Sequence, residues 1–258
     1  TFSMGGKRSP DEDPRSFLYL EFSRALNKIN PLFFVAENVP GLKNLDGGYF
    51  FKKHLEAFES SGRGYNVEWS ILNAKDFGVP QNRKRLIIVG VRKDLGQRFK
   101  LPEPTHGNHE RKARYVSHGD IIKGLPLWPE GEFYERKNDY DGTFPWYYLS
   151  RNRKAPWGGP SYAILANWRH ITLHPASPRM ECLWSDKKNG SKQRWGFSDE
   201  YEHLSHNPEL PVLSKPRRLS WREAALIQGF SDSFTPIGSV LVSRIKCNSF
   251  RELSQLLF

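Results

Sequence analysis

Apolar and polar positions in the first hundred residues predict helices and strands in turn. Asp13–Asn30 carries Leu18, Phe22, Ala25, Leu26 and Ile29 at helical spacing, one stripe of an amphipathic helix that Pro31 stops. Leu32–Ala36 is a short, wholly apolar run, the pattern of a buried strand in a parallel sheet, with Glu37 at its C-terminal end. Tyr49–Ser60 predicts a second helix with Phe50, Leu55 and Phe58 inward. Tyr65, Val67, Trp69 and Ile71 alternate as in a strand, and Leu86–Val91 reads as another buried strand. Strand, helix, strand, loop, strand is the order of a doubly wound α/β sheet. Such sheets bind ligands at the carboxyl ends of their strands, where Glu37 is expected.

From Leu101 to Ser214 the periodicity fades. Pro, Gly, Trp and basic residues dominate, and Trp128, Trp146, Trp157, Trp168, Trp184 and Trp195 all fall here. The segment reads as a second, irregular, mostly β or loop domain inserted in the chain, with its aromatics expected in the core rather than as base-stacking platforms. Order returns at Arg217. Ser220 and Glu223 have capping-box spacing and open a helix through Gln228, which Gly229 closes.

Charge narrows the partner. Lys and Arg number 39 against 28 acids, a net +11, and a surplus that large points to a polyanion, most simply nucleic acid. No apolar run approaches the roughly 20 residues of a membrane span, and no signal peptide is seen. Cys182 and Cys247 cannot make a disulfide framework or a four-ligand zinc site alone. A reducing, cytoplasmic location at DNA is therefore expected. No metal constellation stands out among the eight histidines.

Four segments carry the chemistry. They are Thr1–Arg15 with Phe2-Ser3 and Gly6-Lys7; Glu37-Asn38-Val39; Gln81-x-Arg83-x-Arg85 immediately before a strand; and Arg217–Phe234. Taken singly, Glu37-Asn38-Val39 is only a strand end, and Arg83 and Arg85 only a solvated charge run. In this order they resemble the motif series of the DNA cytosine-5 methyltransferase family. The fourth segment matches it through Arg218, Leu219, Ser220, Arg222, Glu223, Ala225, Gln228, Gly229 and Phe230.

The resemblance implies a fold: part of a Rossmann-like, S-adenosylmethionine-dependent methyltransferase sheet, interrupted by an irregular target-recognition domain. Residues 1–100 would belong to the catalytic domain, 101–216 to target recognition, and 217–258 to the catalytic domain again. It also implies a reaction. In this family a cysteine thiolate adds to cytosine C6, C5 then takes the methyl group from S-adenosylmethionine, and elimination frees the product. Glu37 matches the acid that serves N3, which burial at a strand end would favour in its protonated form. Asn38 matches a neighbour that holds the site, Arg85 the residue at cytosine O2, and Arg83 one close by. Leu18 matches a side chain near the cofactor. The base must be flipped out of the duplex. Ser3, Lys7 and Arg8 lie on the matching mobile loop, and Gln81 is grouped with the DNA contacts. In the inserted domain, Arg151, Arg153, Lys154 and Arg169 have the chemistry of DNA contacts, as do Asn152 and His170, although a solvated surface would look the same. Arg222, Glu223, Gln228 and Gly229 are structural in the motif helix. The stretch around Arg151–Ile164 resembles the recognition domain of bacterial enzymes that methylate short GC-rich palindromes, as in restriction–modification systems.

Two departures bear on activity. The family's nucleophilic cysteine and glycine-rich cofactor turn belong upstream of Thr1, and the segment after Phe234 only echoes the family's closing motif. The chain is thus expected to be inactive alone. It is either a fragment of a methyltransferase or a DNA-recognition subunit whose partner chain carries the missing motifs. In both readings the partner is double-stranded DNA, without a membrane, and a parallel sheet lacking its first strands should expose an apolar edge. The target site and oligomeric state are not written in these motifs.

Overall fold

The computed structural model describes residues 14–133, 144–165, 170–186, 192–201 and 209–234. The chain packs as two units: residues 1–73 with 84–104, and residues 74–83 with 105–258. The division at 1–100, 101–216 and 217–258 follows motif order; packing groups Arg217–Phe234 with the second unit.

In the first unit, a 3-10 turn at Pro14–Phe17 leads into α1 (Leu18–Ile29). Asn30 ends α1 in the left-handed conformation, its N–H bonded to Leu26 O at 2.8 Å, and Pro31 prevents continuation. The inward face is Tyr19, Phe22, Ser23 and Leu26. This corrects the predicted stripe: Leu18 and Ile29 point outward, 60% and 72% exposed. The true face is rotated because it includes a tyrosine and a serine, which a purely apolar stripe omits. Ser23 Oγ is within 2.6 Å of Ser61 Oγ and donates to Ala57 O at 3.0 Å, so it fastens α1 to the end of α2 (Tyr49–Ser60).

Strands β1 (Phe33–Asn38) and β2 (Tyr65–Asn73) flank β4 (Lys84–Arg92), each antiparallel to it. β1 and β2 therefore run in the same direction, joined by α2, with β4 inserted between them. The expectation of a buried parallel strand at Leu32–Ala36 is corrected in two ways. Its observed neighbour is antiparallel, and Phe33 and Val35 are 67% and 50% exposed. Apolar periodicity reports which residues want cover, not strand direction or whether the cover is present.

The opposite sheet face is well packed. Phe34 meets Phe22, Phe58 and Tyr65 edge to face, with ring centroids 5.0–5.6 Å apart. It lies over Gly90, its partner on β4, where an added Cβ would sit 2.1 Å from the ring. Gly90→Ala should therefore destabilise the first unit by about 1–3 kcal/mol through overpacking. Urea denaturation would read this, and an unchanged midpoint would disprove the contact.

The second unit is irregular, as expected. β3 (Gln81–Asn82) pairs in parallel with β5 (Ser161–Tyr162), and β6 (Met180–Asp186) forms a hairpin with β7 (Lys192–Phe197). Its described residues also include the short helices α3 (His118–Ile122) and α4 (Trp221–Ile227). Its core is in patches: Ile122, Ile164, Ile171, Leu219 and Ile227 in one, and Tyr148, Leu149, Leu173 and Met180 in another. Trp157 is buried and Trp195 packs against the second patch, but Trp128, Trp146 and Trp184 are 43%, 73% and 52% exposed. The expectation that the aromatics form core is corrected for these three; Trp168 lies outside the described residues.

Two buried histidines make stability depend on pH. Burial pushes His118 down to about 4; the Gly159 carbonyl it bonds at 2.9 Å opposes this, and the Lys154 charge adds to it. Burial also lowers His54, against the Phe50 carbonyl at 2.7 Å. The unfolded chain takes up these protons near pH ~6.5 while the folded chain does not. Stability is thus full above that pH and falls as pH drops towards about 4. Thermal melts between about pH 7 and 5 should show the decline, and His118→Gln should flatten it; a flat wild-type profile would contradict the burial.

Candidate active site

The antiparallel register of β1 and β4 sets the central pair. Glu37 faces Ile87, so Arg85, two residues earlier on the same side of β4, reaches back to it. Arg85 Nε lies 2.5 Å from Glu37 Oε1. The side chains are 18% and 31% exposed, so the expected burial of Glu37 is incomplete. Arg85 also donates from Nη1 to Lys84 O at 2.8 Å, which steadies the guanidinium. The next residue, Asn38, turns its amide oxygen onto the Val39 N–H at 2.8 Å. That bond shapes the exit of β1 before Pro40 begins a 3-10 segment. Two residues 48 positions apart in sequence are thus brought to one strand end.

Gln81 and Arg83 belong to the second unit. Gln81 is 1% exposed and paired with Ser161 across the β3–β5 ladder. Arg83 closes a turn: its carbonyl accepts the Ala74 N–H at 2.9 Å, and its N–H donates to Gln81 O at 3.1 Å. Gln81 is therefore not on the surface that a direct DNA contact would need.

The basic run at Arg151–Lys154 is corrected in the same sense. Arg151 is exposed, but Arg153 and Lys154 are 6% and 4% exposed. Arg153 donates from Nε to Tyr148 O at 3.1 Å, and Nη2 lies 3.3 Å from His170 Nδ1. Burial lowers its pKa. Asn152 Oδ1 accepts the Lys154 N–H at 2.8 Å, a local turn bond. Adjacent cations look like a solvated face in sequence, yet here the backbone draws two of them inward. Ser3, Lys7, Arg8 and Arg169 lie outside the described residues.

The motif helix forms as its sequence requires. Ser220 Oγ accepts the Glu223 N–H at 3.2 Å, and Glu223 Oε2 accepts the Ser220 N–H at 2.7 Å, a complete capping box. Gly229, at φ +89°, follows Gln228 at its end. Glu223 also holds Arg217 through two 2.8 Å bonds, with both side chains fully buried. His174 Nε2 lies 3.5 Å from the same carboxylate. Glu132 accepts from Ser220 Oγ at 3.0 Å and from Arg222 Nε at 2.8 Å. Sequence reading missed Arg217, His174 and Glu132. Glu132 stands about 90 residues from its partners, so no local spacing signals it.

Leu18, on the first turn of α1, is an exposed apolar side chain. Among the described residues no group of three or more His, Cys, Asp or Glu gathers to hold a metal ion, and no helix is long and apolar enough to cross a membrane.

Comparison with known proteins agrees with the motif order. The family model for C-5 cytosine-specific DNA methylase matches residues 1–248. Type II methyltransferase M.BspRI of Lysinibacillus sphaericus is 39% identical over 244 residues, 94% of this chain and 51% of that protein. M.BsuRI of Bacillus subtilis is 39% identical over 233 residues, 90% of this chain and 47% of that protein. M.MthTI of Methanothermobacter thermautotrophicus is 37% identical over 241 residues, 91% of this chain and 66% of that protein. The chain thus spans about half the length of the first two relatives. With the family model covering nearly the whole chain and the motifs in family order, this chain belongs to the C-5 cytosine-specific DNA methylase family.

Proposed function

We propose that these residues serve a DNA (cytosine-5-)-methyltransferase of a restriction–modification system, acting on a cytosine flipped from duplex DNA. The observation that carries this reading is the Glu37–Arg85 pair at the end of β1. A cytosine presents N3 and O2 side by side on one ring edge. A carboxyl group and a guanidinium already in contact lie at matching adjacent positions; the guanidinium supplies a cation, and the carboxyl serves N3 as an acid when it enters the step carrying a proton taken up from solvent. When a nucleophile adds to C6, negative charge spreads onto N3 and O2, and both groups stabilise it where it develops. Asn38 fixes the backbone behind Glu37, so that the carboxyl keeps its aim.

S-adenosylmethionine, when bound, supplies the methyl group. Of the described residues, Leu18 offers it an apolar contact; the remaining cofactor donors are not assigned to this chain, and neither is the nucleophile. A complementary segment or partner chain would carry them. The proposed setting is the cytoplasm, at DNA.

The test is single-turnover transfer of labelled methyl to mixed-sequence duplex DNA, followed by digestion to nucleosides. The protein should carry these residues together with the upstream segment matching its relatives. Label recovered as 5-methylcytosine is the expected result. Salt-sensitive DNA binding without label would instead favour a recognition subunit.

A further inference from the structure

The segment Ala74–Arg83 joins β2 to β4 and leads the chain into Arg85. β2 ends at Asn73 and β4 begins at Lys84, and these two are register partners, so the segment leaves and returns at one strand end. It is closed there by the Ala74 N–H, which donates to Arg83 O at 2.9 Å, and by the Val79 N–H, which donates to Ala74 O at 3.2 Å. A second loop of the same unit, residues 105–115, grips it. Asp76 O accepts the N–H groups of Thr105 and His106, each at 2.9 Å. Gly78, at φ +87°, lies against the His106 ring, where an added Cβ would sit 2.9 Å from Cε1. Lys75 Nζ stands 3.6 Å from the centroid of the Tyr115 ring and 3.0 Å from Asp76 Oδ1. The Lys75 and Asp76 side chains are only 22% and 26% exposed.

A lysine just ahead of a Gln-x-Arg-x-Arg run has the chemistry of a phosphate contact. This one is committed to a ring face and a carboxylate. Burial opposes its charge, but Tyr115 and Asp76 outweigh burial and hold its pKa above the usual lysine range, so the cation persists over the ring at neutral pH. The backbone bonds alone cannot do the same work. Two N–H groups converge on one oxygen, which fixes a distance and leaves the loops free to swivel about that atom. Lys75, one residue before the pivot, and Gly78, two residues after it, remove the swivel. We propose that Lys75 and Tyr115 are positioning residues for methyl transfer: their contact latches the two loops together and so fixes the backbone that carries Arg83 and leads into Arg85. This rests on the DNA-methyltransferase reading above and adds to it two residues that touch neither base nor cofactor.

Single-turnover methyl transfer at saturating duplex DNA, in the methyl-transfer-competent protein, tests this together with DNA affinity and amide hydrogen exchange. Lys75→Met keeps the stem and removes the charge. Its rate should fall about tenfold, because small misplacements of a catalytic group are costly, while the DNA dissociation constant stays within about twofold of wild type. Tyr115→Leu should fall equally, and Tyr115→Phe, which keeps the ring face, should retain the wild-type rate. Combining Lys75→Met with Tyr115→Leu should be no slower than either alone. Exchange at the Ala74 and Val79 amides should quicken in Lys75→Met, while the β6–β7 hairpin stays as protected as in wild type. Wild-type rates in Lys75→Met and Tyr115→Leu would overturn the inference and leave the methyl-transfer reading intact. A loss of DNA affinity in step with rate would make Lys75 a DNA contact, and protection lost across the whole second unit would make the latch an ordinary stability contact; either result overturns the positioning role. A wild-type protein that transfers no methyl would overturn the function reading first, and this inference with it.

Discussion

Glu37→Gln in the methyl-transfer-competent protein lowers the single-turnover rate about 10²–10⁴-fold, the usual range for removing a positioned acid. The amide keeps the size of the carboxyl and can still face Arg85, but it cannot deliver a proton to N3. The DNA dissociation constant should change little, because the loss falls on the transition state rather than on uniform binding. Rate and affinity measured on the same preparations separate the two. A variant whose rate is unchanged would remove Glu37 from the chemistry. One that loses affinity in step with rate would make it a binding residue.

The second large effect is on stability. Arg217 and Glu223 are fully buried and joined by two 2.8 Å bonds. Arg217 also donates from Nε to Leu127 O at 2.7 Å and from Nη1 to Arg218 O at 2.9 Å. Glu223→Ala leaves that guanidinium without its carboxylate and the Ser220 N–H without its acceptor. A buried charge stripped of its partner costs about 3–5 kcal/mol, which is a large fraction of a domain's stability. Replacing both, Arg217→Met with Glu223→Leu, should cost markedly less, because no unpaired charge remains. Urea unfolding of the single and double variants reads the difference. A double variant as unstable as the single one would mean that the pair is not what holds α4.

The sequence made some of this legible and left the rest hidden for physical reasons. The Ser220–Glu223 box is a local device, written within one helical turn, and it forms as read. The four motif segments could be ordered because each is short and contiguous. The Glu37–Arg85 contact is different. It depends on β4 running antiparallel to β1, whereas the apolar run at Leu32–Ala36 has the pattern of a parallel strand. The inward turn of Arg153 was hidden because its burial is decided by partners outside the basic run, Tyr148 and His170. Glu132 was hidden by its separation from Ser220 and Arg222.

The claim on which most depends is that Glu37 and Arg85 act on one cytosine edge as a unit. A double-mutant cycle in single-turnover methyl transfer measures this directly, using wild type, Glu37→Gln, Arg85→Ala and the combination. If the two share one developing charge, the double variant should be little slower than the worse single variant, because either loss already dismantles the pair. Effects that multiply would show two independent contributions, and rates unaffected by either change would contradict the account at its centre.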